Sequence, residues 1–468
     1  MIDGLIRFAV SQRILILLGV VLLIGAGVYS FQRLPIDAVP DVTNVQVIIL
    51  TPAPSLAPLE IERQITFPVE VAMSGLPNVE EIRSVSKVGL SFVTVVFDDS
   101  VNIYFARQLV GERLSQAREQ IPASIGVPQM GPISTGLGEI YQYEVKGAPG
   151  SGQDPTSLRT VQDWVVRRQL LGVQGITEVG SLGGLEKQYQ IRLDPAKLQS
   201  YGLTIRGVLE AVENNNANAG GAYIEHGSEQ YLLRGIGLAQ TAEDISNIIV
   251  KTGEDGVPVY VRDVGEVVTG ATLRQGAGVA DGEGEIVTGI AIMLKDENSR
   301  TVIERVTERV KEIKKTLPQG VTVEPFYDRT DLVNRTIRTV GTNLIEGAIL
   351  VIIVLILLLG NWRGALLVAT IIPLSMLFAA ILMRIFNVSG NLMSLGALDF
   401  GLIVDGAVVM VENAVRRRAE AQHEGSHEPP ERSILEACME VGRPVVFAVF
   451  IIMIVYLPIL SLTGIEGK

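Results

Sequence analysis

The chain has 468 residues, a formal net charge of −12 at pH 7 and 47% hydrophobic residues. Its single cysteine, Cys438, excludes a framework of disulfides within the chain and a cysteine-based metal site, and its three histidines exclude a histidine-rich site. The sequence contains no GxxxxGKS or GxxxxGKT loop, so ATP is not the expected energy source. It also lacks the clustered Lys and Arg residues of a nucleic-acid-binding surface.

Residues 1–33 predict a membrane helix with a short N-terminal segment. Residues 1–13 are mildly amphipathic and carry Arg7 and Arg13, and Ile14–Phe31 is apolar throughout. A cleaved signal peptide is the alternative, but this apolar run is longer than a typical signal core. We therefore expect an uncleaved helix whose N-terminus lies in the cytoplasm, because Arg7 and Arg13 mark that side.

Residues 34–330 contain no membrane-length apolar run and predict a soluble α+β domain, called the outer domain below. The β-branched segment Val42–Thr51 and the segment Leu90–Phe97 predict strands, while Leu59–Met73 and Ile103–Gln120 predict helices. With a turn and strand after Met73, the order is β-α-β-β-α. This order indicates a split βαβ, ferredoxin-like unit.

The same pattern recurs later in the outer domain. VQGITEVGSLG at 173–183 repeats the turn, the spaced aliphatic residues and the acid of LPNVEEIRSVS at 76–86. We therefore predict two repeated ferredoxin-like subdomains, the second interrupted by a strand-rich insertion. The predicted limits are 34–134 for the first subdomain, 135–182 and 274–330 for the second, and 183–273 for the insertion.

From about Asn343 the composition changes to long apolar runs that predict four further membrane helices. The predicted segments are 331–360, 364–386, 390–415 and 444–463, with an interfacial cytoplasmic helix at 416–443 and a short, truncated end at 464–468. If the helices alternate in direction, Arg363, Arg443 and the run Arg416–Arg418 fall on the side of Arg7 and Arg13. The fold class is therefore a membrane α-helical bundle plus an α+β domain outside the cytoplasm.

Three acids, Asp399, Asp405 and Glu412, interrupt the apolar stretch 391–413. One carboxylate near the centre of a bilayer costs roughly 2.5–3.5 kcal/mol. At about 100° per residue, Asp405 and Glu412 lie two turns apart on one face and Asp399 lies about 120° from Asp405. The pattern predicts a proton or cation relay inside a helix bundle. The alternatives are a structural acid paired with a cation and a core helix of a soluble protein.

Residues in this region also resemble a histidine metal site and an intramembrane aspartyl protease site. His423 and His427 are spaced as metal ligands on a helix, but EGSHEPP at 424–430 is typical of a loop. An intramembrane aspartyl protease also carries two membrane aspartates, yet its second normally lies in a GxGD motif, whereas residues 401–405 read GLIVD. We therefore favour neither a histidine metal site nor a protease.

Four motifs resemble the heavy-metal efflux branch of the resistance-nodulation-division (RND) transporters, most closely the cobalt-zinc-cadmium type. They are DFGLIVDGAVVMVEN at 399–413, LPIDAVPDVTNVQV at 34–47, MGPISTGLGEIY at 130–141 and NLMSLGALDFG at 391–401. The multidrug branch usually has two adjacent acids where this chain has Asp405 and Gly406, so Gly406 favours the metal branch. The resemblance covers essentially the whole chain.

The resemblance implies a homotrimer in the inner membrane of a Gram-negative bacterium, with the outer domain in the periplasm. It implies proton-driven efflux together with a periplasmic membrane-fusion adaptor and an outer-membrane channel. The family is normally about twice this length, so the chain is expected to be an N-terminal half that ends at Lys468. The alternatives are a pump for Cu and Ag or for organic compounds, and a membrane scaffold that does not transport.

The resemblance also implies metal ligands in the outer domain. Glu139 and Glu178 are the candidates, by analogy with the acid-lined clefts of the metal branch; solvated strand-end acids are the alternative reading. Carboxylate ligands favour Zn, Co, Cd or Ni over Cu and Ag. The metal is expected as a substrate and no cofactor is expected. The segment Gly220–Gly235 is expected to form a docking hairpin between protomers, with His226 at the interface.

Overall fold

The computed structural model of the chain describes residues 2–34, 36–37, 41–54, 56–148, 150–253, 256–274, 276–282, 284–360, 362–386, 390–391, 400–423 and 429–460. Long apolar helices lie at both ends of the sequence, and an α/β region lies between them. The N-terminal helices are Ile2–Ser11 and Arg13–Arg33, and strand β1 (Ile36–Asp37) follows them.

The first sheet contains strands β2 (Val45–Pro52), β3 (Val79–Lys87), β4 (Leu90–Phe97) and β5 (Gln129–Met130). Their order in the sheet is β3-β4-β2-β5, and every neighbouring pair is antiparallel. Alternate residues of β2 are fully buried, as a strand with one covered face requires. The covering helices are Ile103–Gln120 and a composite helix, Pro58–Ile61 and Phe67–Met73, joined by a π-helical turn at Glu62–Thr66.

The second sheet begins with β6 (Glu139–Gly147) and β7 (Ile176–Leu182), and the helical segment between them again contains a π-helical turn. This segment consists of Pro155–Val161, the π turn Gln162–Val166 and Arg167–Leu171. Its start is encoded locally. Asp154 accepts a hydrogen bond from the Ser157 backbone N–H at 2.8 Å, and Pro155 occupies the first helical position, where no N–H is needed.

An insertion of small sheets and short helices follows β7. Strand β8 (Lys187–Leu193) pairs with β13 (Gly265–Ala271), and between them β9 (Ala219–His226) pairs with β10 (Glu229–Gly235) and β11 (Ile249–Thr252) pairs with β12 (Pro258–Tyr260). All residues of β9 and β10 are exposed. The helices of the insertion are Pro195–Ser200, Ile205–Asn215, Ala242–Ser246 and Val261–Val264.

The second sheet is completed by β14 (Gly278–Val279), β15 (Glu285–Met293) and β16 (Val321–Asp328), with the helix Ser299–Lys314 between β15 and β16. The order is β14-β15-β6-β16, and β7 also pairs with β15. The core between this sheet and its helices contains Tyr143, Val179, Val287 and Ile303, all nearly or fully buried. The two sheets therefore share one connectivity, β-α-β-β-α-β, although only the second is interrupted.

Helices dominate the remainder of the described chain. They are Arg329–Leu359, Trp362–Ala369, Ile371–Ile385, Phe400–His423 and Pro430–Leu460, with β17 (Gly390–Asn391) paired in parallel with β1. Within the described residues, four segments are long and apolar enough to cross a membrane: Arg13–Arg33, Arg329–Val354, Trp362–Ile385 and Glu431–Pro458. The first and third of these helices pack closely, because a Cβ on Gly27 would lie 2.5 Å from Cβ of Leu377.

Two helix limits differ from the sequence prediction. The acid-bearing helix, predicted at 390–415, is described from Phe400 and continues to His423, because RRRAEAQ consists largely of good helix formers. The interfacial helix predicted at 416–443 is not a separate element in the described part of the chain. Its second part belongs to Pro430–Leu460, which contains Pro444 and Pro458 without a break. The limits of the predicted domains stay predictions, and 464–468 lies outside the described residues.

Candidate functional site

Asp405 and Glu412 lie on one stripe of the helix Phe400–His423. Both residues are exposed, and so are Val409 between them and Arg416 beyond them. The spacing i, i+4, i+7, i+11 is that of one helix face, as the sequence predicts. In the described part of the chain, therefore, the two acids face away from the neighbouring helices. Asp399, the third predicted member of the relay, lies outside the described residues.

The opposite side of this helix is tightly packed. A Cβ on Gly406 would lie 3.0 Å from Cγ1 of Val445, so the small residue permits close contact with the helix Pro430–Leu460. Ala407, Val408 and Val411 pack on a cluster contributed by the segments before and after Gly360; its buried members are Ala365, Val368 and Ile372. Packing on this side fixes which face of the helix presents the acids.

A polar network that the sequence analysis did not identify holds the C-terminal half of the acid-bearing helix. The Asn413 side chain is buried, and its Nδ2 donates to the carbonyl oxygen of Ala437 at 2.9 Å and to a Glu440 carboxylate oxygen at 3.3 Å. Arg416 donates to Asn413 Oδ1 at 2.8 Å, and Arg417 Nε lies 3.5 Å from Glu440 Oε2. The only signal in the sequence was an amide directly after Glu412 and before three arginines.

Glu139 and Glu178 lie on the same face of the second sheet. Both are paired with Ile292 of β15, Glu139 from β6 and Glu178 from β7. Tyr141 and Val179, on neighbouring pairs, point into the core, whereas Ile292 is only partly buried. We call the face that bears Glu139, Gln142, Glu178 and Ile292 the acidic face.

A β-bulge determines the direction of Glu139. The register between β6 and β15 shifts between Ala291 and Ile292, so that Tyr141 pairs with Ala291 and Glu139 pairs with Ile292. In a regular strand of the same sequence, Glu139 would share the face of Tyr141 and point into the core, because strand side chains alternate. The bulge instead leaves Glu139 exposed on the acidic face, where its Oε2 accepts a hydrogen bond from Gln142 Nε2 at 3.1 Å.

The spacing of the two acids suits a divalent cation. Backbones two strands apart are separated by about 9–10 Å, which two extended glutamate side chains span when a cation lies between them. Among the described residues there is no group of three or more His, Cys, Asp or Glu side chains placed to hold a metal. Glu139 and Glu178 are therefore two carboxylates on one face, and their role as metal ligands stays a prediction.

The tyrosines beside Glu139 are not ligands. Burial, with a smaller contribution from the Asp328 charge, raises the pKa of Tyr141 to about 12, and burial likewise raises the pKa of Tyr143. Both phenols stay protonated at neutral pH. Tyr143 donates to Gln162 Oε1 at 3.0 Å, inside the core. Neither phenol is therefore a candidate metal ligand.

The histidines are not brought to either site. His226 is exposed at the end of β9, and His423 is exposed at the end of the acid-bearing helix. His427 lies outside the described residues. The predicted interface role of His226 is compatible with its exposure and stays a prediction.

The fold and the two acidic sites define a class: a membrane protein with several apolar helices, carboxylates on a further helix that packs against them, and a large α/β region in the same chain. The sequence pattern of the AcrB/AcrD/AcrF family matches residues 5–468, and the chain belongs to that family. The predicted resemblance to RND transporters is confirmed.

The relatives include several metal-resistance proteins. The chain is 52% identical to the cobalt-zinc-cadmium resistance protein CzcA of Cupriavidus metallidurans, over all of this chain and 45% of that protein. It is 43% identical to the nickel-cobalt-cadmium resistance protein NccA of Alcaligenes xylosoxydans xylosoxydans, over all of this chain and 46% of that protein. A crystal structure of a heavy metal efflux pump matches with a TM-score of 0.89 and 36% identity, over 99% of this chain and 45% of that one. The chain spans about half the length of these relatives.

Proposed function

We propose that the chain supplies the N-terminal half of a proton-driven efflux pump for the divalent cations of Zn, Co, Cd or Ni. The observation that carries this proposal is the pairing of Glu139 and Glu178 with the same residue, Ile292, on an accessible sheet face. Hard and borderline divalent cations bind carboxylate oxygen readily. The names of the 52% and 43% identical relatives, which refer to cobalt, zinc, cadmium and nickel, agree with that chemistry.

The placement of the three outer-domain methionines favours these metals over Cu(I) and Ag(I), which prefer thioether and thiolate ligands. Met73 and Met293 are buried in the two sheet cores, and Met130 packs partly buried against the first core. Their sulfur atoms fill space between apolar side chains. In the described part of the chain, carboxylates and not thioethers are thus available to a cation on the acidic face.

For the energy source we propose proton antiport through Asp405, with Glu412 and Asp399 on the same path. Asp405 and Glu412 share an exposed stripe in an otherwise apolar segment, where a charge is expensive unless a partner faces it. A proton moving inward releases about 2.3 kcal/mol per 100 mV of membrane potential. The partner groups are expected from the half of the pump that this chain does not span.

We further propose the arrangement that the resemblance implies. The strand orders β3-β4-β2-β5 and β7-β15-β6-β16 support the proposal of two ferredoxin-like subdomains. The exposed hairpin β9–β10 suits a docking element between the protomers of a homotrimer. The outer domain would lie in the periplasm of a Gram-negative bacterium, in contact with an adaptor and an outer-membrane channel.

A chimera tests the proposal. This chain replaces the matching N-terminal part of the Cupriavidus metallidurans relative, and the chimera is expressed with that relative's partners in zinc-sensitive cells. We expect lower cellular zinc than in cells without the pump, and loss of that effect in Asp405→Asn at an unchanged amount of membrane-inserted protein. Glu119→Gln, at an exposed outer-domain acid, is the matched control and should transport normally.

Two results would contradict the proposal. A chimera that assembles in the membrane but leaves zinc, cobalt, cadmium and nickel accumulation unchanged would reject the metal substrate. Retained zinc efflux in Asp405→Asn would reject the proton path while leaving the metal substrate intact.

A further inference from the structure

We infer that Arg329 is a positioning residue for the metal site, because it ties the first turn of the helix Arg329–Leu359 to the segment that carries Glu139. The inference rests on the proposed function, in which Glu139 is a metal ligand. It adds a residue that is distant from the acidic face in sequence and is not itself a ligand. It also gives the site a means of responding to the position of a membrane helix.

Arg329 is unusual in its burial. Its relative exposure is 3%, and Glu144 is the other charged residue that is buried in the described part of the chain. Burying a guanidinium is expensive unless its N–H groups find acceptors. One guanidinium nitrogen of Arg329 donates to the backbone carbonyl of Leu137, 192 residues earlier in the chain. A contact of this kind between distant segments fixes the backbone on both sides.

Leu137 lies two residues before Glu139, in a segment that is held from two directions. The Gly138 N–H donates to Thr135 O at 2.9 Å, and the Met293 N–H donates to Gly138 O at 2.7 Å. Strand β15 therefore holds one side of the segment and Arg329 holds the other. The β-bulge that turns Glu139 outward begins immediately afterwards. The Leu137 carbonyl that Arg329 binds thus lies in the short segment that leads into the bulge.

The helix that begins at Arg329 is a direct continuation of β16. Asp328 ends β16, pairs with Tyr141 of β6, and accepts a hydrogen bond from the Thr330 backbone N–H at 2.7 Å as the helix cap. Strand pairing connects the helix start to Tyr141 of β6, and Arg329 connects it to Leu137, two residues before β6 begins. A displacement of this first turn is therefore transmitted to the strand that presents Glu139.

The same helix reaches the acid-bearing helix at its other end. Ala348 and Val351 pack on the cluster that also receives Val408 and Val411. The distance from Arg329 to Ala348 is about 28 Å along a continuous helix. One rigid element therefore touches both the surroundings of the acid stripe and the approach to Glu139, and Arg329 is its side-chain contact at the metal-site end.

A double-mutant cycle on the 468-residue chain in detergent tests the inference. Zn²⁺ affinity is titrated for the wild type, Arg329→Met, Glu139→Gln and the double variant, with Arg335→Met as control, since Arg335 is an exposed arginine of the same helix. We expect Arg329→Met to weaken Zn²⁺ binding about tenfold. In the Glu139→Gln background Arg329→Met should have almost no further effect on Zn²⁺ affinity, because the effects of substitutions at residues that act through one another do not add. Arg335→Met should bind as the wild type does.

Arg329→Lys separates positioning from folding. It retains the charge and one donor nitrogen but not the planar guanidinium, so we expect a folded protein with about threefold weaker Zn²⁺ binding. If Glu139→Gln binds Zn²⁺ like the wild type, the proposed ligand fails. If Glu139→Gln weakens binding but Arg329→Lys does not, or if the effects of Arg329→Met and Glu139→Gln multiply, the positioning role alone is overturned.

Discussion

Glu139 and Glu178 stand on either side of Ile292, each paired with it across a different ladder of the second sheet. Their positions are 39 residues apart in the sequence and only two strands apart in the sheet. The arrangement depends on the bulge between Tyr141 and Glu139, which reverses the direction of one side chain. The ladder of β7 also shifts register, between Ile292 and Met293, so both carboxylates lie at irregular positions of the sheet.

The first prediction concerns this pair. Glu139→Gln and Glu178→Gln should each weaken Zn²⁺ binding by about tenfold, because each removes a charged oxygen ligand and leaves the shape of the side chain unchanged. Isothermal titration of the purified chain measures the effect. Glu81→Gln is the control, since Glu81 occupies the position in LPNVEEIRSVS that corresponds to Glu178 in VQGITEVGSLG.

The control decides between a site and a general charge effect. Equal weakening by Glu81→Gln would mean that zinc responds to the net negative charge of the chain and not to the acidic face. Unchanged affinity in both Glu139→Gln and Glu178→Gln would remove these residues as ligands.

The second prediction concerns Gly289, which lies opposite Tyr143 in the β6–β15 ladder. A Cβ on Gly289 would lie 2.1 Å from Cζ of Tyr143, and the ring cannot withdraw easily because its hydroxyl is bonded to the buried Gln162. Gly289→Ala should therefore lower the free energy of unfolding by about 1–3 kcal/mol. Gly180→Ala is the matched control, because the nearest atoms there lie at 3.9 Å.

Thermal unfolding in detergent, followed by circular dichroism, measures both variants. The midpoint of Gly289→Ala should fall clearly below that of Gly180→Ala. Equal midpoints would show that β6 and β15 separate enough to accept a methyl group.

The sequence predicted a good part of this architecture. The echo between LPNVEEIRSVS and VQGITEVGSLG marks β3 and β7, which occupy corresponding edges of the two sheets. The spacing of Asp405 and Glu412 places them on one helix stripe, because seven residues are close to two turns. The first prediction depends on a repeated sequence pattern and the second on the helical period, and both can be read directly from a sequence.

Irregular features were not predictable in the same way. Nothing in GLGEIYQYE shows that Tyr141 and Glu139 pair with consecutive residues of the partner strand. This bulge depends on the pairing with β15, about 150 residues later. The π-helical turns at Glu62–Thr66 and Gln162–Val166 also have no period of their own. Each contains a buried polar residue, Thr66 or Gln162, whose partners lie on the adjacent strands.

The third prediction is an alkaline loss of stability. Folding raises the pKa of Tyr141 from 10.0 to about 12, so the folded protein holds a proton that the unfolded chain releases in this range. The contribution is complete below about pH 10 and is lost as the pH rises to about 12, by on the order of 2–3 kcal/mol. Tyr143, whose pKa is also raised, acts in the same direction.

Unfolding midpoints between pH 8 and pH 12 measure this dependence. Tyr141→Phe should lose less stability across the range than the wild type does, whereas Tyr231→Phe, at an exposed tyrosine, should follow the wild type. A Tyr141→Phe curve that is parallel to the wild-type curve would contradict the assignment.

The fourth prediction concerns Asn413, the buried amide beneath the acid stripe. Its Nδ2 donates to Ala437 O at 2.9 Å and its Oδ1 accepts from Arg416 at 2.8 Å, so the side chain joins the acid-bearing helix to the helix Pro430–Leu460. Asn413→Leu has a similar size but leaves a buried carbonyl and an arginine without this partner, which costs about 1–3 kcal/mol. We expect a lower thermal midpoint in detergent, and in the chimera a lower zinc efflux, because Glu412 is the adjacent residue. Asn334→Leu, at an exposed asparagine of the helix Arg329–Leu359, should change neither quantity. If Asn413→Leu is as stable and as active as Asn334→Leu, the network is dispensable and the orientation of the acid stripe is set by the apolar contacts of Gly406, Val408 and Val411 alone.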